Sequence, residues 1–454
     1  MSFMEPMIMT ASTNKKLRKK KRRKNEIFVF AFVLLAVLTI GSIVLAFAAV
    51  KKGQQADDGT RETEIETADE RAQEVEKESI SEKISKDGLW SDKPSEPMEE
   101  PENVPTGRYD ALLQDAEAMR AQNVYAKEAA SPEEIVLAFA GDILFDPQYA
   151  VMANLIQRGG NIEEAFSEDI LEIMHGADVF LVNNEFPYTN RGMPLAEKQF
   201  TFRAEPERAA YLTDMGVDVV SLANNHAYDF GEISLLDSMD TLDGIGVPYI
   251  GAGRNLEEAS RPISFLINDK KIAIIAATQI ERNDNPDTRG ATETSPGTFR
   301  CWNVNNLLQA VSAAKEENDY VIVYIHWGTE NQAETDWAQD DQAVKIAEAG
   351  ADAIIGAHPH CLQPVGYVND IPVVYSLGNF WFNSKSLDTA LAKVIIPADG
   401  ELTVQIIPAK QSDCRTQLLR GAERDRVLDY INSISTTGCL DENGILFSYF
   451  KEKP

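Results

Sequence analysis

Short apolar runs alternate with amphipathic stretches along the last two-thirds of the chain. Unbroken runs rich in β-branched residues predict buried strands, and the clearest cover residues 135–140, 177–182, 217–223, 271–277, 320–325, 352–357, 372–377, 390–396 and 402–407. Helical spacing is found at 206–215, 235–242, 304–317, 337–349 and 418–434. Strands alternating with helices predict an α/β layered domain. The last two runs predict a hairpin around Gly400 and therefore a mixed sheet.

A different pattern lies ahead of this domain. Nine lysines and arginines occur between Lys15 and Lys24, and an uncharged, mainly apolar stretch follows at 27–50. A helix of that length spans the roughly 30 Å hydrocarbon core of a bilayer. The basic flank predicts a cytoplasmic N-terminus and an extracytoplasmic remainder. We therefore predict a basic cytoplasmic segment at 1–25 and a single-pass anchor in the cell membrane at 26–50. The alternative is a signal peptide cleaved near Ala46 to Ala48, although such peptides usually have a shorter apolar core.

The composition of the next stretch differs from that of a folded domain. Residues 51–134 contain 23 acidic and 11 basic side chains, prolines recur between 94 and 105, and large apolar residues are few. Such a segment buries too little surface to offset its chain entropy. We predict a disordered acidic stalk at 51–130, with a short helix around 109–119 as an open alternative for its end.

Charge and cysteine content narrow the function of the remainder. Residues 135–454 contain 47 acidic and 23 basic side chains, which argues against a nucleic-acid partner because such a partner requires a basic face. The chain has 4 cysteines, too few for a disulfide framework in a domain of this size. Cys414 and Cys439 either form a bridge in the C-terminal part or remain unpaired thiols.

Polar residues that can bind metal follow five of the predicted strands. The set consists of Asp142, Glu185, Asn225 with His226, His326, and His358 with His360. Open α/β sheets place their chemistry beyond the carboxyl ends of strands, so we expect these side chains to converge. Carboxylates, an amide and imidazoles are ligands for manganese, iron or zinc. A single histidine after a strand is more often structural, and the prediction of one or two ions depends on all five strand ends together.

Local spacing predicts how the histidines of this site are oriented. An extended segment from 358 to 360 would place both histidine rings on one side, with Pro359 stiffening the turn. Asp229 and Glu330 follow histidines by three and four residues and are candidates to orient them, or else are solvated loop acids.

Six short motifs resemble those of a known family. They occupy residues 139–142, 183–187, 223–231, 326–330, 356–363 and 376–380, and in this order they resemble the series of the CapA-type poly-γ-glutamate capsule biosynthesis proteins. That family is similar in turn to the calcineurin-like metallophosphatases. The resemblance implies a four-layer αββα metallophosphatase-like sandwich with mixed sheets at 131–410, followed by a C-terminal extension at 411–454.

The resemblance also implies roles for individual residues. Metal ligands would be Asp142, Glu185, Asn225, His326, His358 and His360. His226 would be a general acid or a transition-state stabiliser, and with Asp229 it makes up the expected catalytic pair. Residues expected to support the ligands are Glu330, Gln363 and Asn379. Leu144 replaces a histidine ligand of the metallophosphatase pattern, and Glu185 replaces the bridging aspartate. One tight ion, a weaker second ion or a different metal are therefore all consistent with the pattern.

The functional expectation follows from the same resemblance. It is an anchored extracytoplasmic protein of poly-γ-glutamate synthesis, export or attachment, whose partners are the polymer or another envelope polymer and membrane synthase or export subunits. The acidic surface would repel a polyglutamate chain unless metals or arginines lined its path, and the candidate arginines are Arg203, Arg254, Arg282, Arg289 and Arg300. The alternatives are a metal-dependent envelope hydrolase of phosphoesters or amides, and a scaffold with a vestigial site.

Overall fold

The computed structural model describes residues 107–196, 198–280 and 289–449. The predicted cytoplasmic segment at 1–25, the anchor at 26–50 and the stalk up to residue 106 lie outside these residues. In the described part of the chain, no helix combines the length and the apolar character that a membrane span requires.

The strands are numbered in chain order. They are β1 Val124–Ala126, β2 Glu134–Ile143, β3 Val179–Asn184, β4 Val219–Ser221, β5 Tyr249–Ile250, β6 Ala252–Gly253, β7 Ile263–Ile267, β8 Lys270–Thr278, β9 Gly297–Thr298, β10 Tyr320–His326, β11 Ala353–Ala357, β12 Val365–Val368, β13 Ile371–Val374, β14 Asn379–Trp381, β15 Leu387–Pro397, β16 Thr403–Ser412, β17 Arg415–Leu418, β18 Gly438–Leu440 and β19 Leu446–Ser448. Every strand predicted from an apolar run is present, with shifts of a few residues at its ends.

The α-helices are numbered in the same way. They are α1 Asp110–Leu113, α2 Ala116–Ala121, α3 Ala150–Gln157, α4 Glu168–His175, α5 Ala210–Asp214, α6 Glu232–Ile245, α7 Leu256–Ser260, α8 Asn305–Glu317, α9 Trp337–Glu348 and α10 Gly421–Ile434, with 3-10 turns at Ile162–Glu164 and Pro206–Ala209. The cap of α9 illustrates how sequence sets these bounds, because Asp336 and Gln339 form a reciprocal capping box. The structure confirms a helix in each segment where spacing predicted one, namely 206–215, 235–242, 304–317, 337–349 and 418–434.

Two large mixed sheets organise the domain. Within the described ranges, the first sheet has the order β1-β7-β8-β10-β11-β13-β12, and the second has β17-β16-β15-β2-β3-β4-β5 with β14 beside β2. The strands that carry or directly precede the predicted ligands run parallel to one another within each sheet, namely β10 and β11 in the first sheet and β2, β3 and β4 in the second. The predicted hairpin is confirmed as the antiparallel pair β15 and β16. Both sheets are mixed, as expected.

The two sheets pack face to face over a shared apolar core. Phe139 and Leu181 of the second sheet belong to the same buried cluster as Ile274 and Ile355 of the first. Tyr324 adds a polar link across this core, since its hydroxyl donates a hydrogen bond to the Ala140 carbonyl at 2.8 Å. Alternate residues along each strand therefore fill the space between the sheets.

Helices cover the outer faces of both sheets. Val182 and Val220 of the second sheet share a buried cluster with residues of α3 to α6, including Leu235. Val323 of the first sheet shares another with residues of α8 and α9, including Ile346. The fold is therefore a mixed α/β sandwich, in agreement with the expected class.

The folded domain begins earlier than the sequence predicts. Residues 107–130, assigned above to a disordered stalk, contain α1, α2 and β1, and β1 pairs in parallel with β7. Tyr109 donates a hydrogen bond from its hydroxyl to Asp319 Oδ2 at 2.9 Å, and Arg108 forms an ion pair with the same carboxylate. The stalk boundary at 130 is wrong because this short segment gains a sheet partner that composition does not reveal.

The C-terminal residues pack onto the sandwich. Val427, Leu428 and Ile431 of α10 belong to the core cluster between the sheets. Cys414 is buried and Cys439 partly exposed, and both are free thiols. The bridge between them that the sequence left open is therefore not formed in this structure.

Candidate metal centre

The predicted site residues meet where the carboxyl ends of both sheets come together. His326 is the last residue of β10, and His358 and His360 directly follow β11, so the first sheet supplies the imidazoles. Asp142 lies in β2 and Glu185 directly follows β3, so the second sheet supplies the carboxylates. The convergence expected from the strand ends is present in the structure.

These side chains form two donor groups that share one carboxylate. Glu185, His326 and His358 have ligand atoms within 4.8 Å of one another, and so do Asp142, Glu185 and His360. Among these residues only the side chain of His360, at 16% exposure, reaches solvent appreciably. Glu185 is therefore the one carboxylate that belongs to both donor groups.

His326 lies at the centre of the first group. Its Nε2 is 3.0 Å from His358 Nδ1, 2.9 Å from Asn225 Oδ1 and 3.5 Å from Glu185 Oε1. Two imidazole nitrogens and two oxygens thus lie close together, and such donors suit zinc, iron or manganese.

Asp142 organises the second group. Its Oδ2 is 3.0 Å from His360 Nδ1, and its Oδ1 accepts a hydrogen bond from Asn183 Nδ2 at 2.8 Å. Asn379 contacts the same ring nitrogen, with its Oδ1 2.8 Å from His360 Nδ1. The predicted supporting role of Asn379 therefore has a direct geometric counterpart.

The electrostatics of Glu185 fit a cation site. Its Oε1 is buried and has no hydrogen-bond partner among the described residues. Burial, together with the nearby charges of Asp142 and Glu330, raises the pKa of this carboxyl well above its ordinary value of 4.5. A buried carboxylate oxygen without a donor is costly, and a divalent cation is the kind of partner that would satisfy it.

The two imidazoles of the first group, His326 and His358, are favoured in the neutral form, which is the form that binds metal. Burial lowers the pKa of His326 to about 3 and that of His358 well below 6.5. Burial also acts on His360, but the hydrogen bond and charge of Asp142 outweigh it and raise its pKa. The same contact lowers the pKa of Asp142 even though burial opposes its ionisation. Burial thus favours neutral imidazoles in the first group, whereas in the second the contact between His360 and Asp142 favours the charged form of each.

The backbone between the two C-terminal histidines differs from the expectation. His358 has a φ of 99° and His360 a φ of 59°, so the segment is folded back rather than extended. Few residues other than glycine adopt these angles, and such strain is commonly found at functional sites. The two rings still lie 5.8 Å apart, because the turn rather than strand alternation directs them.

Gly141 lets a neighbouring segment reach the site. An added Cβ at this position would lie 1.9 Å from the carbonyl oxygen of Gly378. That approach lets β14 pair with β2, which places Asn379 opposite Asp142. Gly141, inside β2, is therefore required by the close packing of Gly378 next to the ligands.

His226 and Asp229 lie beside the donor groups. His226 Nδ1 is 2.7 Å from Asp229 Oδ2, and the Phe202 ring packs on the imidazole at 4.3 Å between centroids. Burial lowers the pKa of His226, and the charge of Asp229 only partly compensates. Phe382 packs on both Phe202 and His360, so an aromatic wall lines the opening of the site.

Glu330 and Gln363 are the other two residues predicted to support the ligands. Glu330 is exposed on the loop after β10, and its charge contributes to raising the pKa of Glu185 and of His360. Gln363 is buried, but its Nε2 donates to the carbonyls of Gln332 and Glu334 rather than to a ligand. Gln363 therefore stabilises the loop that follows Glu330.

The candidate arginines do not form a continuous basic path. Arg254 pairs with Asp240 at 2.8 Å, and Arg203 packs over the Phe230 ring at 4.6 Å. Arg282 lies outside the described residues. Arg254 is thus paired with a surface acid, and Arg203 contacts the residue that follows Asp229.

Sequence reasoning missed three polar residues around the site. Asn183 contacts Asp142 and lies 3.2 Å from His326 Nδ1, and Asn224 donates to Asn183 Oδ1 at 3.0 Å. Strand alternation could have revealed Asn183, because it points to the same side as Glu185 two residues later. Lys198 comes from a distant loop, and no local pattern marks it.

The fold and the site together define a mixed α/β domain with a buried histidine and carboxylate centre at the junction of two sheets. Residues 136–384, more than half of the chain, match the family described as Bacterial capsule synthesis protein PGA_cap. The chain belongs to this family, and the resemblance drawn from its motifs is confirmed.

Individual relatives carry related descriptions. The chain is 28% identical over 286 residues to the PGA biosynthesis protein CapA of Bacillus subtilis, a match that covers 61% of this chain and 72% of the relative. It is 25% identical over 321 residues to the Capsule biosynthesis protein CapA of Bacillus anthracis, covering 68% and 75%. A crystal structure of a hypothetical protein from Thermus thermophilus aligns with a TM-score of 0.35 and 13% identity over 60% of this chain and 99% of that one, which is too low to define the fold.

Proposed function

We propose that the protein acts in the synthesis, export or attachment of poly-γ-glutamate at the bacterial cell envelope. The family match carries this proposal, and the descriptions of the two Bacillus relatives support the choice of polymer. Its partners would be the polymer and the membrane subunits that make or move it. The acidic domain surface gives no electrostatic capture of a polyanion, so recognition would depend on local groups at the site.

The same proposal places the folded domain outside the cytoplasm. The uncharged stretch at 27–50 and the basic flank before it would anchor the chain with its N-terminus inside. Protease treatment of intact protoplasts tests this arrangement. Degradation of the 107–449 region while a cytoplasmic control protein survives is expected. Protection of that region until the cells are lysed would contradict it.

The site would hold one or two divalent ions, with manganese, iron or zinc as candidates. Glu185 supports this most directly, because both donor groups include it and its Oε1 lacks a hydrogen bond in the described residues. His326, His358 and Asn225 would complete one position, and Asp142 and His360 the other. When bound, such ions supply Lewis acidity and an activated water. Leu144 is fully buried where the metallophosphatase pattern has a histidine, which favours unequal affinities for the two positions.

A metal-dependent hydrolase is the second candidate function. His226 favours it, since its Nδ1 is engaged by Asp229 and its ring lies at the opening of the site between Phe202 and the donor groups. In that position it would stabilise or protonate a leaving group of a phosphoester or an amide. A scaffold with a vestigial site would instead tolerate loss of these side chains.

One pair of variants tests these functions. The double variant Asp142→Ala, His358→Ala removes a donor from each group, and His175→Ala is the matched control because that exposed histidine lies outside both groups and contacts the Asp214 carbonyl. We expect metal measured by mass spectrometry and polymer production in cells to be lost in the double variant and retained in the control. Normal polymer production by the double variant would exclude a metal-dependent role and favour the scaffold.

Substrate assays separate the two active candidates. Full-length protein loaded with manganese, iron or zinc is incubated with phosphoesters and with poly-γ-glutamate, and product release is measured. Turnover that disappears in the double variant would establish hydrolysis. Bound metal without turnover of either substrate class would favour a binding role in polymer handling.

A further inference from the structure

A long segment, residues 185–205, leads from β3 to the turn that begins at Pro206, and those of its residues that the structure describes form no helix or strand. Segments of this length are uncommon in compact domains and are usually functional. Tyr188 and Ala204 form a β-bridge at its base. Its middle brings Lys198 to the Asn225–Asp229 turn, where the lysine side chain is only 6% exposed. A lysine is rarely buried to this degree unless it is paired.

Asp229 is the point at which this segment is attached. Its Oδ1 accepts from Lys198 Nζ at 2.5 Å, and its Oδ2 accepts from the backbone N–H of Phe202 at 2.6 Å. The same Oδ2 contacts His226 Nδ1 at 2.7 Å. The Asp229 carbonyl in turn accepts from Leu195 N at 2.8 Å. A single buried aspartate therefore links this segment to the imidazole beside the site.

Lys198 also reaches the ligand set by a second contact. Its Nζ donates a hydrogen bond to the backbone carbonyl of Asn225. The side chain of that asparagine places Oδ1 2.9 Å from His326 Nε2, inside the first donor group. The Lys198 ammonium thus contacts this turn twice. It contacts the backbone carbonyl of Asn225, a candidate ligand, and the carboxylate of Asp229, which orients His226.

We propose that Lys198 is a positioning residue that fixes Asn225 and His226 relative to the two sheets. This inference rests on the proposed metal function for its connection to activity, but its geometry does not depend on an ion. The turn at 224–229 follows β4, only three residues long, so the strand alone does not fix the turn's orientation. Lys198 supplies an anchor from a separate part of the chain. Residues that orient metal ligands in this way typically change metal affinity 10–100-fold when they are replaced.

A simpler role for Lys198 is neutralisation of the buried Asp229 charge. The two roles make different predictions, because neutralisation concerns only Asp229 whereas positioning also concerns the Asn225 carbonyl. Lys198→Met removes both contacts and keeps the length of the side chain. Lys198→Met combined with Asp229→Asn removes the unpaired charge but still lacks the donor to Asn225. Lys198→Arg retains a cation with several donors.

The experiment measures Mn²⁺ affinity of the full-length chain by calorimetry for these three proteins. We expect a 10–100-fold loss of affinity for Lys198→Met, no recovery in the double variant, and partial recovery in Lys198→Arg. Arg191→Met is the matched control, because Arg191 lies in the same segment, is largely exposed and pairs with Asp237 outside the site. Its affinity should remain within twofold of the wild type.

A second readout works without metal. Histidine side-chain NMR of the metal-free protein reports the His226 Nδ1–Asp229 contact through the proton on Nδ1. We expect this signal to be present in the wild type and in Arg191→Met, and weakened or shifted in folded Lys198→Met. Wild-type NMR signals and Mn²⁺ affinity retained in folded Lys198→Met would overturn the inference, and full recovery of Mn²⁺ affinity in the double variant would reduce Lys198 to charge neutralisation. Failure of the wild type to bind any metal would overturn the proposed metal function, while the NMR comparison would still decide the positioning role.

Discussion

Asn183 donates a hydrogen bond from its side-chain amide to Asp142 at 2.8 Å, and both residues lie on neighbouring strands of the second sheet. The same nitrogen is 3.2 Å from Nδ1 of His326, which belongs to the first sheet. Asn183 therefore connects the two donor groups although it is not itself a candidate ligand. An amide in this position orients a carboxylate and an imidazole together.

Replacement of Asn183 by alanine should weaken metal binding without abolishing it. The carboxylate of Asp142 and the ring of His326 would each lose a fixed neighbour, and affinity should fall about 10–100-fold. Calorimetry with Mn²⁺ measures this change. Asn190→Ala, in the loop beyond the site, serves as a control. Unchanged affinity in a folded Asn183→Ala protein would show that the ligands are oriented by the strands alone.

Replacement of Glu185 by glutamine should stabilise the metal-free protein above pH 4.5. Because burial and Asp142 raise the pKa of Glu185, the folded state retains a proton that the unfolded state loses above 4.5. The free energy of unfolding therefore decreases as pH rises through this window, and the amide removes that decrease. Urea unfolding at pH 5 to 8 should show a gain of roughly 1–3 kcal/mol at the upper end, the cost of one unsatisfied buried group.

The same variant should lose metal. An amide of equal shape lacks the charge that both donor groups share, so metal content should fall for both positions. A Glu185→Gln protein that is no more stable without metal, or that retains full metal content, would contradict the proposal that both donor groups share this carboxylate as a ligand.

Gly141→Ala should displace the segment that carries Asn379. The new Cβ would meet the Gly378 carbonyl at 1.9 Å, and backbone atoms at such a distance must move. A loss of stability of about 1–3 kcal/mol is expected, as for overpacking of a core. Thermal unfolding measures it. Gly244→Ala is the matched control, since a Cβ there has no atom within 4 Å and the helix α6 should become slightly more stable.

Acid should release the N-terminal part of the domain before the sheets unfold. Burial acts to raise the pKa of Asp319, but hydrogen bonds from Lys271 N, Tyr109 and Arg108 outweigh it and hold the pKa below 3.8. Its stabilising effect is present above pH 3.8 and is lost as pH falls through the lower folded value. Hydrogen exchange should show loss of protection at 107–126 in that range, and in Asp319→Asn already at neutral pH. Equal protection in the variant would mean that β1 pairing alone holds this segment.

Strand periodicity predicted most of the fold because the core strands are unbroken apolar runs. The stalk boundary failed for a physical reason, since β1 is only three residues long, with just one of them buried, and is stabilised by β7 more than a hundred residues later. At the site, the strand-end rule brought together Asp142, Glu185 and His326. It could not identify Lys198, whose partners lie far away in sequence, nor the left-handed turn at His358 and His360, because strand alternation says nothing about residues beyond the strand.

The division of the donors between the two sheets has a mechanical consequence. Every imidazole of the two donor groups stands on one sheet, and both carboxylates stand on the other. The distances within each group therefore depend on how the sheets are aligned across their shared apolar core. If one sheet slid past the other by even an ångström, the histidines would move away from Glu185. Core substitutions far from the centre that change the alignment of the sheets will therefore change the distances within it.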